Sequence, residues 1–238
     1  QPKQLYALYQ ELISTARLEL IYSGSAPQRR VEQALLSALA ALPREQVRDI
    51  ALYRPHPARQ EVLRVEESLD VTQGKLGMGF ACGSDDYAAM MVGNTLFGGS
   101  SNSKLFMNVR EKLSLCYYAS SLYHRQKRLI TVSSGIEFQN FQRAYDEILA
   151  QLEAVKNGKL EDWEMEGAQS TLLNAYASME DSQGKLENFY LGQAATGQSE
   201  TPEELADQVR EVTGERVRRA METVRLDTVY FLRGEEAQ

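Results

Sequence analysis

Two side chains that donate hydrogen bonds to oxygen atoms, Arg110 and Tyr117, lie seven residues apart in the chain. A guanidinium has five N–H donors and a phenol has one O–H donor, so such a pair can hold carbonyl or carboxylate oxygens. Each residue alone also has an ordinary structural explanation, since Arg110 can pair with Glu111 on a helix surface and Tyr117 can be a sheet aromatic. Together with the upstream glycines Gly98 and Gly99, they are the main candidates for function.

The scarcity of histidine argues against a catalytic zinc centre and weakens any Ser-His-Asp or Cys-His prediction, since the general base would have to be one of two histidines. A catalytic zinc ion needs about three side-chain ligands and an open position. The histidines are His56 and His124, which are 68 residues apart and have no glutamate at helical spacing. The H-x-x-E-H motif of the inverzincin metallopeptidases is absent. We expect surface or packing roles for both histidines and no metal or other cofactor bound by this chain.

The segment Gly98-Gly99-Ser100-Ser101 has the glycine-rich composition of a phosphate-binding loop but lacks the sequence motifs of such loops. It matches neither G-x-G-x-x-G nor the P-loop motif, and Lys104 is not at the P-loop position. We predict instead a tight turn between two helices, in which the glycines adopt positive φ angles that other residues avoid.

An acidic run stands at the predicted start of a later helix and consists of Glu161, Asp162, Glu164 and Glu166. A negative charge near a helix N-terminus is stabilised by the helix dipole, by about 0.3–1 kcal/mol. Solvation and this dipole explain the run, so we predict a solvated helix start and no metal site.

The composition, with 43% hydrophobic and 25% charged residues, is that of an ordinary globular protein. A net charge of −7 argues against nucleic acid as the main partner, because phosphate binding uses clustered Lys and Arg. No apolar run is long enough to span a membrane, and no signal peptide opens the chain. We expect a cytoplasmic protein, and the start at Gln1 without a methionine suggests a piece of a longer chain.

Two cysteines, Cys82 and Cys116, lie in apolar stretches and lack C-x-x-C spacing. Two buried, reduced thiols are the expectation for a cytoplasmic protein. A disulfide or a redox pair between them is the alternative.

The first part of the chain predicts a strand, a helix and a linker. Residues 18–22 alternate between apolar and polar side chains, as a half-buried strand does. Residues 25–28 match a capping box, and the helix that follows ends at Pro43. Residues 43–60 indicate a linker, with Pro55-His56-Pro57 extended because each proline restrains the residue before it.

The rest of the chain predicts a sheet with helices, and its last strand resembles the predicted strand near the start. Residues 16–24 and 226–234 both follow a helix and end at a glycine. Coincidence is one explanation, and the other is that each strand closes a lobe of similar design. The remaining predicted strands are residues 61–68, 75–82, 114–123 and 129–136. One predicted helix is capped by Ser84–Asp86, a second covers residues 102–112, and residues 138–224 are predicted to be helical throughout.

The region around the glycine pair and Arg110 resembles the C-terminal lobe of the insulinase and pitrilysin zinc metallopeptidases, a family that includes mitochondrial processing peptidase. The family pattern R-E-K-x-G-L-x-Y is matched by Arg110-Glu111-Lys112, Leu115 and Tyr117. Ser114 stands where the family usually has glycine. The resemblance covers residues 5–234. The chain is similar above all to bacterial members of the family that lack the zinc motif.

This resemblance implies an α+β fold in which a mixed, mainly antiparallel sheet packs against a layer of helices. Two similar lobes joined by a linker make up the members of the family. Residues 1–54 are therefore expected to be the trailing helix-strand-helix of a preceding lobe plus the linker, and residues 55–238 the C-terminal lobe.

The resemblance also implies roles for the candidate residues. In the family, an arginine and a tyrosine at this spacing reach across a closed chamber to the peptide held at the zinc ion. Arg110 and Tyr117 are accordingly expected to bind substrate in a lobe that is inactive by itself, with zinc supplied by a homologous lobe or subunit. The alternative is a pseudoenzyme that serves as a structural or regulatory subunit, and residues 1–50 could instead pair two copies of the chain.

Overall fold

The computed structural model describes residues 1–48 and 57–235, which form two compact units. One unit contains residues 1–48 and 179–200, and the other contains residues 57–178 and 201–235. Pro55 and His56, from the predicted extended linker, lie outside the described residues. The assignment of residues 1–54 to a preceding lobe stays a prediction.

The helices and strands of the described residues are numbered along the chain. The α-helices are α1 (Pro2–Thr15), α2 (Gln28–Ala40), α3 (Tyr87–Asn94), α4 (Phe141–Lys156), α5 (Asp162–Ala177), α6 (Gln183–Thr196), α7 (Pro202–Arg210) and α8 (Gly214–Met221). The strands are β1 (Leu63–Leu69), β2 (Gly74–Ala81), β3 (Cys116–His124), β4 (Leu129–Ile136) and β5 (Arg225–Gly234). Two further segments, Thr95–Gly99 and Leu105–Lys112, are π-helical. None of the described helices has both the length and the apolar character needed to cross a bilayer.

All five strands form one sheet in the larger unit, in the order β1-β5-β2-β4-β3. Only β1 and β5 are parallel neighbours, and the other pairs are antiparallel. On β2, the side chains of Leu76, Met78 and Phe80 are buried while the residues between them are partly exposed, so one face of the strand packs on the core. The prediction of an α+β fold with a mixed, mainly antiparallel sheet is confirmed.

The smaller unit consists of α1, α2 and α6 with their connections. The predicted strand at residues 18–22 is wrong, since residues 17–23 have no regular secondary structure. A strand needs a neighbouring strand for its main-chain hydrogen bonds, and the described residues of this unit contain none. The capping box predicted at residues 25–28 is also wrong, because α2 begins after Pro27 without a side-chain cap.

The glycines Gly98 and Gly99 end the helical stretch that begins with α3, as predicted, but for a different reason. Neither has a positive φ; in the described residues such glycines are Gly158 and Gly197. A Cβ atom on Gly98 would lie 2.8 Å from the main-chain nitrogen of Ser121 in β3 and 2.7 Å from its Oγ. Gly98 is therefore needed for close packing of the π-helical turn on β3, and not for backbone freedom.

A buried ion pair joins the start of the second π helix to α5. Lys104 Nζ lies 2.8 and 3.0 Å from the two carboxylate oxygens of Glu164. The two side chains are 10% and 9% exposed. The prediction of a solvated acidic run is therefore wrong for Glu164, because a cation distant in sequence balances its charge.

Gly98→Ala should lower the free energy of unfolding by about 1–3 kcal/mol, since the new methyl group has to displace the main chain of β3. Urea denaturation measures the change. Gly167→Ala is the matched control, because Gly167 lies within α5 with no atom within 4 Å of an added Cβ. This control should be neutral or stabilising by up to about 1 kcal/mol. Equal stability of the Gly98→Ala variant and the wild type would contradict the packing explanation.

Lys104→Met should lower the free energy of unfolding by about 3 kcal/mol, because Glu164 would remain buried without its counter-charge. In the wild type, the main-chain N–H of Glu161 donates a hydrogen bond of 2.9 Å to the Glu164 carboxylate. The double variant Lys104→Met, Glu164→Gln removes both charges but keeps a side-chain oxygen that can accept this bond. We expect the double variant to recover part of the loss in urea denaturation. A double variant less stable than the single variant would refute this account.

Candidate functional site

Contacts on three sides orient Arg110, which lies on the π helix Leu105–Lys112. Its Nε donates a hydrogen bond of 3.0 Å to the main-chain oxygen of Tyr117. Its Cζ lies 4.6 Å from the centre of the Phe106 ring, and Nη1 lies 3.4 Å from Oε1 of Glu111. Within the described residues, no hydrogen bond uses the Nη hydrogens. The guanidinium is held in place and keeps these donors available.

Tyr117 lies at an irregularity of the sheet. Cys116 is opposite Ile136 and Tyr118 is opposite Gly135, so Tyr117 has no opposite residue on β4. Such a β-bulge changes the direction of a side chain relative to regular alternation. Tyr117 is 58% exposed as a residue, and its hydroxyl has no hydrogen-bond partner among the described residues.

Ser114 connects the two residues by ending the π helix in a left-handed conformation, with φ of 48°. The main-chain nitrogen of Ser114 donates to the oxygen of Arg110 at 3.1 Å, and that of Leu115 donates to the oxygen of Val109 at 3.0 Å. A left-handed residue with such bonds is the usual way to end a helix, and glycine is the usual residue there. Serine thus takes a left-handed conformation at the position where the resembling family usually has glycine.

Arg110 and Tyr117 line the same surface hollow, which has a volume of about 400 Å³. Arg110 also lines a second hollow of about 350 Å³, whose other lining residues include Gly98, Gly99 and Phe106. The other three residues singled out in the sequence, Gly98, Gly99 and Tyr117, therefore each line a hollow that Arg110 also lines. Their roles in binding stay a prediction.

Two residues of the first hollow, Glu137 and Asn140, are not identified by the sequence analysis. They follow β4 directly, and the pairing of Ile136 with Cys116 brings Glu137 next to the start of β3. The predicted hairpin contains this information in principle, but its register cannot be fixed from the sequence because the bulge shifts it by one residue.

Both cysteines are free thiols, as predicted; Cys82 is buried, whereas Cys116 is half-buried and lines the first hollow. Burial raises the pKa of the Cys82 thiol to about 12. Burial also raises the pKa of Cys116, against smaller opposite effects from Ser134 and Arg110. Because the thiolate is the nucleophilic form, these raised pKa values favour the less nucleophilic thiol in both cysteines.

The described residues do not fit a zinc centre. His124 Nε2 lies 3.1 Å from Oγ1 of Thr131 on the neighbouring strand. Burial lowers the pKa of His124, with a further decrease from Lys127. Throughout residues 1–48 and 57–235, no three side chains of His, Cys, Asp or Glu are grouped to hold a metal ion.

Ser114→Gly should raise the free energy of unfolding by about 0.5–1 kcal/mol. The left-handed conformation costs an L-residue about 1–2 kcal/mol, and part of this gain is lost to the greater freedom of glycine in the unfolded chain. Ser114→Val should be destabilising because a β-branched residue is least tolerant of positive φ. Thermal and urea denaturation measure both changes. A Ser114→Gly variant less stable than the wild type would show that the Ser114 side chain has an additional role.

The chain matches known proteins along nearly its whole length. Residues 1–172 match the family described as the Peptidase M16 inactive domain. The probable inactive metalloprotease YmfF of Bacillus subtilis is 36% identical over 98% of this chain and 55% of its own length. The chain spans about half the length of the curated relatives it matches.

Solved structures agree in fold. A conserved protein from Enterococcus faecalis V583 has 30% identity and a TM-score of 0.76, with 87% of this chain and 50% of the other covered. The Peptidase M16 inactive domain from Pseudomonas fluorescens has 21% identity and a TM-score of 0.70, with 89% and 52% covered. By the match of residues 1–172 to its family model and by its similarity to the B. subtilis relative, this chain belongs to the Peptidase M16 inactive domain family.

Proposed function

We propose that this chain is the peptide-binding, metal-free wall of a chamber in a metallopeptidase-like assembly. The family and the relative named as a probable inactive metalloprotease support a non-catalytic M16 half. Zinc and a general-base glutamate would be supplied by a homologous lobe or subunit. The absence of a membrane-crossing helix among the described residues and the two free thiols are compatible with the cytoplasmic location that we also propose.

The observation that carries this proposal is the arrangement of unused donors around one hollow. Arg110 and Tyr117 both line it. In the described part of the chain neither the Nη hydrogens of Arg110 nor the hydroxyl of Tyr117 makes a hydrogen bond, and the nearest acceptor to Nη1 is the ion-paired Oε1 of Glu111 at 3.4 Å. The bond from Nε to the main chain of β3 fixes the guanidinium before any peptide arrives. A pre-oriented donor loses less conformational entropy on binding than a free side chain does.

These donors suit the main chain of a peptide. A guanidinium binds carbonyl oxygens, and each charge-assisted hydrogen bond contributes about 1.5–3 kcal/mol. A phenol donates a neutral hydrogen bond to the bound carbonyl and a stronger one to the same oxygen if it becomes negative during amide hydrolysis. Arg110 would therefore contribute mainly to binding, and Tyr117 mainly to the reaction that a zinc-bearing partner performs.

The smaller unit supports the need for a partner. On α1, the side chains of Leu5, Leu8 and Leu12 are each more than 60% exposed. An exposed apolar surface of this kind marks an interaction site in soluble proteins. We propose that a homologous zinc-bearing lobe or subunit covers it, and a homodimer through residues 1–50 is the alternative that sedimentation analysis of the purified chain would detect.

A second candidate function is that of a pseudoenzyme subunit that binds a peptidase but no peptide. The B. subtilis relative, which is named a probable inactive metalloprotease, favours this candidate. In that case the hollow would be a remnant of the fold. Association with an active homologous peptidase without measurable peptide binding would support it against the first proposal.

Arg110→Ala should weaken the binding of short blocked peptides by about tenfold or more, because it removes charge-assisted hydrogen bonds to the peptide main chain. Tyr117→Phe should weaken binding by less, about two- to fivefold, since it removes one neutral hydrogen bond. Fluorescence anisotropy with a labelled peptide library measures both.

Arg143→Ala is the matched control for Arg110→Ala, because Arg143 is exposed on α4 and does not line the hollow. Thermal denaturation of each variant checks that the fold is intact. If both site variants bind peptides as the wild type does, Arg110 and Tyr117 have no role in peptide binding.

A further inference from the structure

The hollow beside Tyr117 contains more negative than positive charge. Its charged lining residues are Arg110, Glu111 and Glu137. Glu111 lies 3.4 Å from Arg110 and balances its charge. Glu137 accepts a hydrogen bond of 3.0 Å from the neutral amide of Gln139, and no Lys or Arg of the described residues pairs with it. Glu137 is therefore the uncompensated charge of the hollow.

The surroundings of Glu137 suit a long side chain with a charged end. Glu137 directly follows Ile136, which pairs with Cys116 at the open end of the β3–β4 hairpin, and both Glu137 and Tyr117 line the hollow. The exposed ring of Tyr117 offers an aromatic face, and Leu115 adds an apolar wall. Lysine and arginine side chains bind in such places, with the aliphatic stem on apolar surface and the cation near an aromatic face or a carboxylate.

We propose that this hollow accepts a basic side chain of the bound peptide and that Glu137 is the residue that selects it. This inference rests on the proposed function, because Arg110 is expected to hold the main chain of the same peptide. The net charge of −7 adds a long-range attraction for cationic peptides.

The positive charge of Arg110 would repel a second cation in this hollow, but contacts with neighbouring groups offset that charge. Its guanidinium lies over Phe106 and donates to the Tyr117 carbonyl, with Glu111 at ion-pair distance. A basic side chain next to Glu137 thus meets two carboxylates and one guanidinium. Attraction exceeds repulsion, provided that the cation lies nearer to Glu137 than to Arg110.

The test compares three blocked, fluorescently labelled peptides of alanine and serine that differ at one central position, which is lysine, norleucine or glutamate. Norleucine keeps the aliphatic stem of lysine without its charge. Dissociation constants are measured by fluorescence anisotropy for the full chain, for Glu137→Gln and for Glu166→Gln. Glu166 is an exposed glutamate on α5 that does not line the hollow, so it is a matched control for the loss of one negative charge.

The wild-type chain should bind the lysine peptide about fivefold more tightly than the norleucine peptide, and the glutamate peptide most weakly. Glu137→Gln should bring the lysine and norleucine affinities together, while Glu166→Gln should keep the difference. Added salt should reduce the preference for lysine, since surface charges are screened.

Two failures are distinguishable. If the wild type binds the lysine and norleucine peptides equally, or if a preference for lysine survives in Glu137→Gln, the assignment of Glu137 is overturned. The proposed peptide site is then still supported if Arg110→Ala weakens the binding of all three peptides. Absence of binding by any of the peptides overturns the peptide site itself and this assignment with it.

Discussion

The position of the candidate site depends on the close approach of one helix end to one strand. With glycine at position 98, the π-helical turn Thr95–Gly99 packs against the main chain of Ser121 in β3. Asn94 supports the same contact, since Ser121 Oγ donates 2.8 Å to its side-chain oxygen. The segment that follows is fixed at its start by the buried pair of Lys104 and Glu164. The π helix that carries Arg110 is therefore anchored before it reaches the site, and the bond to the Tyr117 carbonyl fixes its far end.

Much of the fold can be predicted from the sequence because its signals are local. The alternation of β2 and the apolar spacing of α4 are strong patterns, and Asp86 accepts from the Ala89 nitrogen at 3.1 Å as an N-cap residue does. The predicted strands of the larger unit therefore lie within one or two residues of β1 to β5. Residues 18–22 show the limit of such patterns. Alternation indicates that a segment is suited to a strand, but a strand also needs a neighbour, and its own residues do not encode one.

The parts of the site that cannot be predicted are those fixed by distant contacts. Glu164 belongs to an acidic run that has every sign of solvation, and only the fold brings Lys104 to it. The bulge at Tyr117 and the left-handed φ of Ser114 are likewise backbone features that serine and tyrosine do not favour. Gly98 gives the opposite lesson, since its importance is evident from the sequence but the physical reason is packing. A glycine in a sequence indicates that a side chain is disfavoured, and either the dihedral angle or the neighbouring atoms can be the cause.

The energetic cost of the site argues that its geometry has a purpose. A left-handed serine, an interrupted ladder and an exposed aromatic ring each reduce stability or gain nothing for it, and they occur together within residues 114–117. Strained backbone persists where the surrounding structure fixes it, and it is concentrated at functional sites. Ser114 adopts a left-handed conformation although serine, unlike the glycine usual in the resembling family, does not favour it. The main-chain bonds to Val109 and Arg110 require it, and the same turn brings the guanidinium and the phenol to one hollow. The turn also places Leu115, which is 2% exposed, in the core, so its conformation serves the packing of the lobe as well as the geometry of the candidate site.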